Sequence, residues 1–158
     1  MSIPVPAPAG VTDRLMASSL VSDIEFLTAR ARALGSSLVN ERLRPLGLRV
    51  RSYAVLTLAC DGIGPSQRQL AEFLSLDPSQ IVSLVDELEK SGFVRRETDP
   101  SDRRSKVIVA TEEGERVRAE AAAAVAEGQA VALGGLTPEE RETLRSLLAK
   151  VAFPPAGE

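Results

Sequence analysis

Residues 66–111 read SQRQLAEFLSLDPSQIVSLVDELEKSGFVRRETDPSDRRSKVIVAT, and the hydrophobic period changes partway through. Ser66 followed by Gln69 is a capping box, in which two side chains tie two orphan backbone donors at a helix start. Leu70, Ala71 and Leu74 give that helix an apolar face, and Ser75-Leu76 leaves only a tight link. Asp77, Pro78 and Gln80 then start a second helix with a capping carboxylate, a proline where no N–H is needed, and a glutamine three residues beyond the cap. It runs to Ser91, and Gly92 suits the left-handed position that ends a helix. Ile81, Leu84, Val85 and Leu88 form its buried stripe. Ser79, Ser83, Asp86, Glu87 and Lys90 lie opposite, with Gln80 beside the N-terminal end. After Gly92 the helical period stops. Phe93–Arg96 and Lys106–Ala110 predict two strands, and the polar, turn-forming residues between them predict a hairpin with a long tip. Two short helices so closely joined must cross steeply, as in a helix-turn-helix. With a basic hairpin behind them, they predict a winged helix-turn-helix.

Outward from this stretch the chain is helical, so the expected fold is mostly α with a small β-hairpin wing. Val50–Ala59 predicts a short helix carrying Val55, Leu56 and Leu58, and Asp61-Gly62-Ile63-Gly64-Pro65 ends it. Pro45 and Gly47 break the chain before it. The first periodic segment is expected to begin near Thr12 or Asp13, either of which can cap a helix. Leu20, Ile24, Leu27, Ala31, Leu34 and Leu38 recur at alternating steps of four and three, which keeps one apolar stripe aligned. The stripe suits a helix packed on its own core or a seam between two copies. Thr111 caps an Ala-rich helix to about Leu133, Gly134-Gly135 interrupts, and Thr137-Pro138-Glu139-Glu140 caps a last helix carrying Leu144, Leu147, Leu148 and Val151. The expected division is a disordered tail 1–11, an N-terminal dimerisation helix 12–44, a winged helix-turn-helix 48–111, C-terminal dimerisation helices 112–152 and a tail 153–158.

Composition narrows the function. The 158 residues fit one domain with a dimerisation extension, and the core must be Leu, Val and Ala, since only 3% of residues are aromatic and none is Trp. One Cys allows no internal disulfide, and the absence of His removes the commonest general base and metal ligand. No cysteine dyad, phosphate-cradling glycine loop or metal-ligand cluster stands out, so neither an enzyme nor a cofactor is expected. No apolar run is long enough to span a membrane, and Met1–Gly10 lacks the positive start of a secretory signal. A cytoplasmic protein is expected. The net charge of −3 argues against nucleic acid only if read globally. Residues 93–111 carry Arg95, Arg96, Arg103, Arg104 and Lys106 against Glu97, Asp99 and Asp102, while residues 112–158 are acidic. Local fields decide binding, because charges beyond about 8–10 Å are screened.

A polar helix and an arginine-bearing loop suit duplex DNA. The major groove is about 12 Å wide and accepts a helix, a helix N-terminus faces phosphate favourably, and a wing arginine suits the electronegative minor groove. Three strings then resemble the MarR family: LVDELEKSGFVRR (84–96), DPSDRR (99–104), and Val107–Thr111 followed by Glu113-Gly114. The resemblance covers residues 48–114 closely. It implies a bacterial transcription regulator, usually a repressor, acting as a two-fold dimer built from the first and last two helices on a palindromic operator. It also implies release by a small phenolic or lipophilic effector, or a cysteine oxidation switch. Carried over by position, Ser79, Gln80 and Ser83, after Pro78, would face bases or phosphates. Arg104 with Arg103 would enter the minor groove, Lys106 would support them, and Asp102 would hold an arginine. Arg68, Arg49 and Arg51 are phosphate candidates. The effector site would lie where dimer helices meet the reading head, near Tyr53 and Leu56.

One departure from the family pattern is plain. Ser83 stands where relatives often carry Arg or Lys, and Asp77 to Ser91 hold four acidic residues against one Lys. A protein-interaction module on the same fold is therefore the competing reading. Cys60, at a helix end beside Asp61, is read as structural, because a helix C-terminus disfavours the thiolate.

Overall fold

The computed structural model describes residues 9–155. Seven helices and one hairpin follow in the order α1 (Ala9–Leu15), α2 (Ile24–Leu43), α3 (Val50–Cys60), α4 (Gln67–Leu74), α5 (Pro78–Lys90), β1 (Val94–Thr98), β2 (Lys106–Ala110), α6 (Glu112–Ala132) and α7 (Pro138–Ala152). The expected mostly α fold with a hairpin wing is the one observed.

Local chemistry accounts for most boundaries. The Ser66 amide donates to Gln69 Oε1 at 2.9 Å, and the Gln69 amide returns to Ser66 Oγ at 3.3 Å. Between α4 and α5 the chain turns through Ser75, the one described non-glycine residue with positive φ, at 52°. Gly92 takes φ 78° after α5, a conformation that other residues adopt only at a cost. The strands pair antiparallel, with Arg96 opposite Ile108 and Thr98 opposite Lys106. Ile108 also donates its amide to the Pro65 carbonyl at 2.9 Å, which fastens the hairpin to the turn before α4. Thr111 caps α6 through the Gly114 amide, and its hydroxyl donates to the Gly92 carbonyl at 2.6 Å. One threonine thus links the end of α5 to the start of α6.

The core lies inside the head. Leu43, Leu48, Val55, Leu56, Leu70, Ile81, Val85 and Ile108 are fully buried, drawn from α2, the turn before α3, α3, α4, α5 and β2. By contrast α2 buries only Val39 and Leu43, and α7 buries nothing. Gly128 of α6 lies so close to α2 that a Cβ there would meet Val39 Cγ2 at 2.8 Å and Val39 Cα at 3.0 Å.

The N-terminal arm differs from expectation. Residues 12–44 are not one helix capped at Thr12 or Asp13, both of which lie within α1. A 3₁₀ turn, Ser19–Ser22, separates α1 from α2, and Asp23 caps α2 by accepting the Phe26 amide at 2.8 Å. Ser18 and Asp23 compete for backbone donors in the middle of the apolar period, and local capping wins. The tail assigned to residues 1–11 is helical from Ala9, and its first eight residues lie outside the described range. At the other end Phe153 is not a loose tail residue, since its ring stacks on Phe73 of α4 at 5.7 Å between centroids. Residues 156–158 lie outside the described range.

Candidate nucleic-acid interface

Helix α5 presents the polar stripe that its sequence predicts. Ile81, Val85 and Leu88 are buried, while Ser79, Gln80, Ser83, Asp86 and Glu87 are exposed. Ser83 donates its hydroxyl to the Ser79 carbonyl at 3.2 Å, so its oxygen is still open as an acceptor. Gln80 is half committed: its Oε1 accepts the Asp77 amide at 3.3 Å, and the side-chain NH₂ is left to face outward. Pro78 opens the helix and lines a cleft between α4 and α5 with Arg68, Glu72 and Val82. Arg68 is not a free cation. Its Nε donates to Glu72 Oε1 at 2.9 Å along the same face of α4.

The wing is closed by its own side chains. Asp99 Oδ1 accepts both the amide and the hydroxyl of Ser101 at 2.7 Å. These hydrogen bonds hold the Asp99 carboxyl below the ordinary carboxylate range. Asp102 Oδ1 accepts the Arg104 amide at 3.0 Å, and its Oδ2 accepts the Ser105 hydroxyl at 2.8 Å. Asp102 therefore holds Arg104 by its backbone, not by its guanidinium. At the base, Lys106 Nζ donates to Thr98 Oγ1 at 2.9 Å, a neutral partner that leaves its charge uncancelled. The guanidiniums of Arg103 and Arg104 are exposed and have no carboxylate partner among the described residues. Around the wing and its neighbouring helix α4 the other arginines, Arg68, Arg95 and Arg96, are all ion-paired, whereas Arg49 and Arg51 at the start of α3 make no ion pair among the described residues.

Arg96 was not among the residues that the sequence singled out. Its Nε donates to Gln67 Oε1 at 2.9 Å, one terminal nitrogen to Asp86 Oδ1 at 2.5 Å, and the other to Glu89. Its amide also donates to Glu89 Oε1 at 3.1 Å. Burial works to lower the Arg96 pKa, but hydrogen bonds to Asp86 and Glu89 outweigh it and raise it. Two acids three residues apart on one helix face repel one another and favour a nearby cation, and that was the available signal in the sequence.

A cavity of about 730 Å³ opens between the end of α3, α4 and the hairpin, lined by Leu58, Cys60, Phe73, Glu97, Val107 and Glu115 among others. Tyr53 and Leu56 do not line it: Leu56 is fully buried in the core and Tyr53 packs half-buried against it. Burial pushes the Cys60 thiol above its ordinary pKa; Arg118 opposes this, while Glu115 and Asp61 add to it.

A capped helix pair, a buried core beneath a polar second helix, and a self-closed basic hairpin define a winged helix-turn-helix protein. Residues 48–106 match the family model described as MarR family. A MarR family transcriptional regulator from Rhodococcus sp. RHA1 shares 46% identity over 87% of this chain and 99% of its own, with a TM-score of 0.81. CouR from Rhodococcus jostii RHA1, solved bound to p-coumaroyl-CoA, shares 47% over 90% and 100%, with a TM-score of 0.80. A Mycobacterium tuberculosis MarR family protein in complex with p-aminosalicylic acid shares 26% over 83% and 99%, with a TM-score of 0.69. The chain belongs to the MarR family of transcriptional regulators.

Proposed function

We propose that this protein binds a palindromic duplex operator as a homodimer and represses transcription until a small aromatic effector releases it. The observation that carries the DNA reading is the wing, where Arg103 and Arg104 stand exposed on a loop whose backbone is fixed by Asp99 and Asp102. A pre-ordered loop loses little freedom on binding, so its guanidinium contacts with the minor groove are retained as affinity. Ser79, Ser83 and the free amide of Gln80 take the major groove, with Pro78 setting the helix start. Lys106 supports the wing, and Arg68, shared with Glu72, contributes less to phosphate binding. Dimerisation fits the apolar side chains left open on the two arms, including Ile24, Leu27 and Leu34 on α2 and Leu147, Leu148 and Val151 on α7.

The effector class follows from the relatives. One is bound to the CoA thioester of an aromatic acid and another to an aromatic acid. We therefore assign this chain an aromatic carboxylic acid or its CoA thioester, held near the junction of α2, α3 and α6 beside half-buried Tyr53, with fully buried Leu56 backing that site from the core. The test is an anisotropy titration with duplexes from the gene's own upstream region at low and moderate salt. Saturable binding that weakens as salt rises, and that p-coumaroyl-CoA or free coumarate reverses, supports the reading. Indifference to every duplex at low salt refutes it and favours a protein-interaction module.

A further inference from the structure

The reading helix is acidic where a DNA-binding face should not be. Asp86 lies seven residues after Ser79 and three after Ser83, on the same exposed stripe, and Glu89 follows one turn later. Facing phosphates, unpaired carboxylates at these positions would repel the duplex. Neither is unpaired. Arg96, arriving from β1, spends all three guanidinium nitrogens on Asp86, Glu89 and Gln67, which joins α5, the hairpin and α4 through one side chain. Only about a quarter of the Arg96 side chain is exposed, against 59% for Asp86. The arginine lies under the acids and does not reach past them.

We infer that Arg96 is a positioning residue for DNA reading: it halves the negative charge of Asp86 and Glu89 and holds both carboxylates back, and so makes an acidic recognition helix compatible with a polyanion. The inference rests on the DNA-reading function proposed above. Charge arithmetic defines the test. The cluster carries net −1 as it stands, −2 in Arg96→Gln, zero in the triple variant R96Q/D86N/E89Q, and +1 in D86N/E89Q.

The probe is a random-sequence duplex of about 30 base pairs, titrated by fluorescence anisotropy at about 50 and 200 mM salt, with melting temperatures recorded for each variant. Arg96→Gln should weaken binding roughly tenfold at the lower salt and distinctly less at the higher one, because salt screens repulsion between exposed charges. Neutralising both acids in that background should restore affinity, and D86N/E89Q alone should bind more tightly than the unaltered protein. A purely structural role for Arg96 would instead give an equal loss at both salts that follows the fall in melting temperature and is not repaired by the added neutral residues. That result overturns the inference, as does undiminished binding by Arg96→Gln. Should Arg96→Gln fail to fold, D86N/E89Q decides: no gain in affinity overturns the inference. If the unaltered protein ignores the duplex at both salts, the DNA reading fails and takes the inference with it. If it binds and the variants do not behave as stated, only the inference fails.

Discussion

At the scale of single residues, the wing and the lone thiol make opposite predictions. Arg104 is the head's best-placed free cation, with an amide locked by Asp102 and a guanidinium without an acidic partner. Arg104→Ala should weaken operator affinity by roughly 1–3 kcal/mol and leave the protein's mass in solution unchanged. Unaltered affinity in a gel-shift titration removes the wing from the interface. Cys60 should matter little. Its thiol is raised above the ordinary value, chiefly by burial, so thiolate is scarce at neutral pH. Alkylation at neutral pH should be slower than that of free cysteine, and its rate should still be rising at a pH where free cysteine has levelled off. Cys60→Ser should keep DNA binding within about twofold. Rapid alkylation at pH 7, or loss of binding on mild oxidation that Cys60→Ser abolishes, would restore a redox role. The sequence revealed Arg104 because its setting depends on near neighbours, and Cys60 in part, through the helix end and Asp61, whereas burial, Arg118 and Glu115 act on it only in the folded chain. Arg96 was harder to read: its partners Gln67, Asp86 and Glu89 lie 29, 10 and 7 residues away, and only the folded hairpin brings them together.

At the scale of elements, close backbone approaches and turn chemistry set the sensitivities. A Cβ on Gly114 would stand 1.9 Å from the Phe93 carbonyl oxygen, where α6 starts against the strand entering the wing. Backbone cannot yield as a flexible side chain does, so Gly114→Ala should destabilise by roughly 2–3 kcal/mol in denaturant unfolding. Gly135→Ala, where a Cβ meets nothing within 4 Å, is the control. The wing adds a pH dependence. Asp99 titrates below its ordinary range because Ser101 bonds to its charged form. Its contribution to wing order is therefore complete above the ordinary carboxylate value and lost as pH falls through the lowered one. Protection of the Ser101 amide against exchange, measured relative to an unstructured amide at the same pH, should persist down to about pH 4 and be lost only below it; earlier loss of protection contradicts the Asp99 turn. These elements were legible because each carries its own start and stop signals, from Ser66 to Gly92 and from Asp99 to Thr111. The break between α1 and α2 was not. The four-and-three period runs from Leu20 into α2 without interruption, and nothing in the spacing ranks the Asp23 cap above helix continuation. The end of β1 was also missed: Glu97 and Thr98 are polar, and they extend the strand only because Val107 and Lys106 pair with them.

At the scale of the whole molecule, a single copy has too much surface. Its accessible area is 11557 Å², whereas a compact chain of 16.8 kDa exposes about 7,700 Å². Even if the eleven terminal residues outside the described range were wholly exposed, at about 160 Å² each, roughly 2,000 Å² would still be in excess. The open apolar side chains are concentrated on the arms and not on the head: Ile24 is 82% exposed and Val151 80%. An excess of that size per protomer is what an obligate two-fold interface covers. It also explains why α7 buries nothing within its own chain. The protein should therefore sediment at about twice 16.8 kDa at micromolar concentration, with a melting temperature that rises with concentration. Val151→Glu tests the seam without touching the single-chain core, because a side chain so exposed in one copy has little to lose there. At an apolar interface the carboxylate must be desolvated without a partner, and the variant should fall to the monomer mass with the head still folded. Operator affinity should then drop by more than about tenfold, since two reading helices no longer bind as one unit. A unit that is monomeric before any substitution, or a Val151→Glu variant that stays dimeric with full affinity, would move the interface away from α7 and leave the exposed faces of both arms without an explanation.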